Sequence, residues 1–121
     1  MTNAASWFIF FLGIGHIVFG LVRFDGPVAD AVSAGFIGQF AEPEVRRTAF
    51  WFLIVGPLLM LAGQVGLHAV AKGDLALLKI LGIYVFATAV LGVAAFPQSP
   101  FWAPLMVAPV LIAVGYGRLP L

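Results

Sequence analysis

Cysteine is absent from the 121 residues, which excludes disulfides, thiolate catalysis, iron–sulfur clusters and thiolate zinc sites together. Charge is nearly as scarce: 9% of residues are Asp, Glu, Lys or Arg, and a net charge of +1 without any basic run argues against a nucleic-acid partner. No Gly-rich phosphate loop, GxSxG elbow or HExxH pair occurs. No carboxylate falls inside a long apolar stretch, so proton relay through buried acids is not expected. What remains is apolar: 63% of residues are hydrophobic and the mean hydropathy is +1.12. A soluble helical bundle needs a polar outer face on every helix, and these stretches are apolar all round. Lipid is therefore the expected solvent.

Four stretches organise the chain into one expected membrane domain over 1–121, with spans at about 4–22, 48–70, 75–96 and 101–117. The first ends at Arg23; it is too long for the core of a signal peptide and lacks a basic leader, so it is expected to be retained. Arg46, Arg47 and Lys72 bound the second, Gly73 and Asp74 suit a turn and cap before the third, and Pro97 closes that one. The fourth is the shortest, at the lower limit of roughly 17–25 residues, and Pro109 should kink it. In the long first loop, Val28, Val32, Phe36 and Phe40 recur at steps of four after Gly26 and Pro27, which predicts a short amphipathic helix over 28–40 lying on the membrane surface or over the bundle mouth. The expected fold is all-α: a polytopic up-down bundle of four transmembrane helices with that interfacial helix between the first and second. Trp7, Trp51, Trp102 and Tyr116 near span ends suit an aromatic belt. Four crossings put both termini on one side. Lys72, Lys79 and Arg118 there balance Arg23, Arg46 and Arg47 opposite, and only the amino-terminal charge favours a cytoplasmic placement of the termini.

The few polar residues at membrane depth carry the functional information, because each is costly there and normally faces the interior. Gly13, His16, Gly20 and Arg23 share one helix face, with His16 roughly 10 Å below Arg23. Such a stripe admits either a packed neighbour helix, with His16 bonded to backbone or a Tyr/Thr group, or a ligand at the imidazole. Arg23, Arg46, Arg47 and Trp51 form an expected vestibule for an anionic or carbonyl headgroup; the alternative is an interfacial anchor whose charges are merely solvated and paired. Tyr84 and Thr88 are the expected interior partners of His16. Toward the other side, Gln64, His68 and Lys72 share a face, and Lys79 is expected to snorkel to the headgroups. Ala62 and Gly66 offer a second small-residue packing face beside Gly13 and Gly20. Up-down topology sets His16 and His68 roughly 15–20 Å apart along the normal, so no shared haem or metal site is expected.

The Gly13-Ile14-Gly15-His16 run followed by Gly20, the longer first loop, and Arg46-Arg47 before a Gly-rich second span resemble the DoxX-like group of small bacterial four-helix membrane proteins. Some members of that group are associated with quinone-linked oxidoreductases, so the resemblance implies a redox-accessory or lipophilic-ligand role in a bacterial plasma membrane. The chain departs from the redox-active relatives in having no cysteine, and thiol electron transfer is not implied. Three functions stay open at this stage. The first is a non-enzymatic or accessory protein whose bundle binds a lipid or quinone, with no other cofactor. The second is a membrane enzyme using His16 as acid/base on a hydrophobic substrate. The third is an oligomeric scaffold or small transporter. A homo-oligomer is expected, since four short spans bury limited area among themselves.

Overall fold

A computed structural model describes residues 2–98 and 101–121. Five helices follow in order: α1 (Thr2–Arg23), α2 (Asp25–Ser33), α3 (Glu44–Lys72), α4 (Leu75–Ala95) and α5 (Trp102–Gly115), with no strand among the described residues. The fold is all-α, and α1, α3 and α4 are each long and apolar enough to cross a membrane. No more than 28% of the apolar window of any of them is buried within the chain, and Phe11, Val22, Leu58 and Leu91 face outward. Water does not tolerate apolar surface of that extent, which points to a membrane protein. The fourth expected span is shorter than the sequence suggests. Helix α5 has 14 residues, or roughly 21 Å against a hydrocarbon core of about 30 Å. Gly117, at a positive φ of 75°, ends it, while the preceding loop over 97–100 falls partly outside the described residues.

The loop helix also differs from the expected 28–40. It starts earlier, at Asp25, whose carboxylate accepts from Gly26 N at 2.8 Å, and Pro27 sits in the first turn, where a missing N–H costs nothing. It stops at Ser33 because Gly35 (φ 111°), Phe36 (φ 68°) and Gly38 (φ 73°) take left-handed conformations that reverse the chain. Phe36 N then bonds Ala31 O at 2.9 Å across the helix end. The i, i+4 apolar pattern continues past this point, but the backbone does not follow it.

The chain packs as two compact units, one comprising Met1–Ile9 with Ala62–Leu121 and the other Phe10–Leu61. In the first, α3 ends on Gly73 (φ 65°), with Asp74 N bonding Ala69 O at 2.8 Å. Asp74 then caps α4, its Oδ1 accepting from Leu77 N at 2.9 Å. Helices α4 and α5 form an antiparallel hairpin whose register is read from its glycines. Gly115 faces Lys79, Gly82 faces Leu111 and Ile112, and Gly92 faces the Phe101 ring. Leu78, Ala89, Ala108, Leu111 and Val114 fill the seam. Near the start of α1, Ser6 packs on Gly66, and the hydroxyls of Thr2 and Ser6 are buried without a hydrogen-bond partner among the described residues.

In the second unit, α1 and α3 meet backbone to backbone. A Cβ on Gly13 would lie 2.5 Å from Gly56 O, and one on Gly20 would enter the Phe52 and Leu53 side chains. Small residues allow this approach, and in lipid, where no hydrophobic force drives helices together, close packing is the main cohesive term. Ala31 and Ala49 are fully buried here.

Candidate functional site

His16 faces α3 between Gly13 and Gly20. Its Nε2 lies 2.7 Å from the Phe52 carbonyl oxygen, and its ring stacks on the Phe52 ring at 4.0 Å with 16° between planes. A carbonyl only accepts, so Nε2 carries the proton and donates. The Phe52 ring is shared with Phe19 at 5.9 Å and Phe24 at 5.5 Å. Five residues on, Pro57 interrupts α3 from within; it has no N–H, so the Leu53 carbonyl loses its i+4 donor. The stretch of α3 facing His16 is thus one where helix hydrogen bonding is already perturbed.

Of the partners expected for His16, backbone or the Tyr/Thr pair Tyr84 and Thr88, the structure supplies backbone. Tyr84 and Thr88 are both exposed on α4, Tyr84 to 72%, and the imidazole uses a main-chain oxygen instead. The reason is local: Gly20 lets Phe52 approach α1 so closely that its carbonyl comes within reach. Replacing His16 by phenylalanine keeps a ring for stacking and removes the donor. It is expected to cost about 1 kcal/mol in thermal unfolding in detergent. His16→Ala, which loses the stack as well, is expected to cost about 2–3 kcal/mol. A phenylalanine variant as stable as the wild type would mean that the bond to Phe52 contributes nothing.

The arginines of the expected vestibule point to nearby main chain and aromatics. The Arg23 guanidinium lies over the Phe24 ring at 5.2 Å. Arg46 reaches Gln39 O and Oε1, both at 3.4 Å, and Arg47 reaches Ala41 O at 3.4 Å. Trp51 is 63% exposed and meets Phe50 edge-on. Phe40 bridges Phe50 and Phe36, tying the loop to the start of α3. In the other unit Gly66 is buried, Ala62 half-buried, and Gln64, His68 and Lys72 exposed.

A different feature emerges on the α4–α5 hairpin. A groove of about 650 Å³ is lined by Phe86, Pro109, Ile112, Ala113, Tyr116 and Arg118. Its floor is apolar over a little more than one turn of α5, from Pro109 to Ala113, and its end at Tyr116 and Arg118 is polar. Lys79 Nζ lies 5.0 Å from the centroid of the Tyr116 ring, a cation–π contact at the same end. Tyr116 is held there because Gly115 lets the end of α5 touch the Lys79 backbone.

The pattern of a family of unknown function, DUF6463, matches residues 1–117. The chain belongs to DUF6463. Neither a curated protein nor a solved structure matches it.

In this DUF6463 chain the groove is not visible in the residues of either helix taken singly. Lys79 reads there as a snorkelling cation and Tyr116 as a belt aromatic, each taken by itself. What joins them is the register of α4 against α5. Paired glycines at 82 and 115 in two successive apolar stretches were the available signal, since they set which turns of the two helices can touch.

Proposed function

We propose that the protein is a small four-span integral membrane protein that holds a lipophilic ligand, a lipid or quinone, against its helices and performs no chemistry of its own. The α4–α5 groove carries this reading. Its volume falls in the range of small-molecule sites, its floor is apolar, and its polar groups gather at one end, as an amphiphile requires. Support for a fourth span comes from the hairpin: α5 runs antiparallel to α4 in close register, so a bilayer that admits one readily admits the other. The shortfall in length is of the kind that tilt of neighbours or local thinning accommodates. We place the protein in a bacterial plasma membrane, following the DoxX-like resemblance, with both termini on one side by the even number of spans and that side cytoplasmic by the amino-terminal charge, and as a homo-oligomer because short spans bury limited area among themselves.

Ala113 lines the groove and is half-buried, so a large side chain there fills the floor without entering the α4–α5 seam. Native mass spectrometry from lipid nanodiscs is expected to show a co-released lipophilic molecule on the wild type and its loss in Ala113→Trp, with the thermal midpoint retained. An empty wild type, or a tryptophan variant that releases the same molecule in the same amount, would remove the reading.

A further inference from the structure

The charge distribution around the groove identifies the class of ligand more narrowly. The unit formed by Met1–Ile9 and Ala62–Leu121 contains three cationic side chains, Lys72, Lys79 and Arg118, and one acid, Asp74, for a net side-chain charge of +2. All four lie at the end where α3 and α5 stop and α4 starts. The lone carboxylate is engaged as the cap of α4 through Leu77 N. Arg118 lines the groove, and Lys79 lies against Tyr116, which also lines it. Two cations thus stand at the polar end of an open apolar groove, Arg118 in its lining and Lys79 against the lining Tyr116, with no carboxylate among the lining residues.

A neutral quinone headgroup would make poor use of this arrangement, because its carbonyls need donors but not net charge. A zwitterionic headgroup would bring its own cation against Arg118 and Lys79. An anionic headgroup satisfies both, and Tyr116 adds a hydroxyl donor at the same place. Helical rise gives the apolar part its length: Pro109 and Tyr116 are seven residues, or roughly 10 Å, apart on α5, and Lys79 and Phe86 are the same distance apart on α4. A chain entering beside Tyr116 therefore passes Ala113 and Ile112 and reaches Pro109 and Phe86 within one continuous groove. Free phosphate could occupy the cationic end, but it leaves the apolar length unfilled.

We propose that the groove holds an anionic phospholipid, its headgroup between Arg118 and Lys79 and one acyl chain along Ala113, Ile112, Pro109 and Phe86. The proposal rests on the lipophilic-ligand reading above and names the ligand class for the same groove.

The full chain, placed in nanodiscs of equal phosphatidylglycerol and phosphatidylcholine with matched acyl chains, tests it by native mass spectrometry of the retained lipid. Phosphatidylglycerol is expected to be retained over phosphatidylcholine by about tenfold, the scale of one to two basic side chains acting on an anionic headgroup. Arg118→Gln, at an exposed position, is expected to reduce that preference severalfold, and Lys79→Gln with Arg118→Gln to bring it near unity while total bound lipid persists. Millimolar inorganic phosphate is expected to leave the lipid in place. Equal retention of the two lipids by the wild type, a preference unchanged in the double variant, a quinone in place of phospholipid, or displacement by phosphate would each overturn the anionic assignment. A protein that retains lipid without preference still satisfies the broader reading, whereas one that retains none fails both.

Discussion

Gly56→Leu is expected to destabilise the protein by about 3 kcal/mol or more, the upper range for overpacking a filled interior. Gly56 is buried in α3, where even a Cβ would collide with the Ile17 side chain and come 2.9 Å from the Gly13 carbonyl. The reciprocal contact, from Gly13 to Gly56 O, is tighter still at 2.5 Å, so both obstacles include main chain, and main chain cannot move to another rotamer. Relief requires the helices to separate, which loosens Phe52 from Gly20 and takes its carbonyl away from His16. Gly15→Leu supplies the control, since nothing lies within 4 Å of a Cβ there. Leucine also has the better helix propensity, by somewhat under 1 kcal/mol. Thermal unfolding of the two variants in one detergent should separate them clearly. Equal midpoints would mean that α1 and α3 do not cross at Gly13 and Gly56.

At Gly115 a leucine is expected to remove both stability and bound ligand. A Cβ there would lie 2.5 Å from Lys79 Cβ and 2.6 Å from Lys79 N and Cα, again against main chain. The end of α5 must swing from α4, at a cost of about 2–3 kcal/mol. Tyr116, the next residue, then leaves the Lys79 ammonium and opens the polar end of the groove. Unfolding and native mass spectrometry on the same preparation give the two readouts. A destabilised Gly115→Leu protein that keeps its lipid at wild-type occupancy would place the ligand somewhere other than this groove. The effect of Ala113→Trp differs in kind, because that side chain fills the groove from within and leaves the hairpin seam closed.

Much of this architecture was legible in the residues, and the parts that were not have a common cause. The turn at Gly73 and Asp74 could be read directly, because a left-handed glycine after a helix and an acidic cap before the next are local requirements of helix ends. The loop helix, Asp25–Ser33, lies earlier in the chain than the spacing over 28–40 predicts. Spacing by four describes which side chains share a face if a helix continues, and it does not register that Gly35, Phe36 and Gly38 turn the backbone away. For His16 the sequence offered backbone or a Tyr/Thr group as partner, and could not say which residue supplies it. A search among polar side chains leads to Tyr84 and Thr88, whereas the acceptor is a main-chain oxygen that any residue type at position 52 would carry.

That the chain is helical, with helices apolar enough to cross a membrane, follows from its residues alone. Long uninterrupted apolar runs with few charges leave the backbone only intrahelical partners, and both consequences follow from composition along a single segment. Tertiary structure alone decided which glycine meets which helix, that the imidazole of His16 is tied to Phe52, and that Lys79, Tyr116 and Arg118 stand at one end of one groove. Those facts depend on the register between helices. That register is set by the sum of many small packing contacts across segments far apart in the chain, none of which leaves a pattern within either segment.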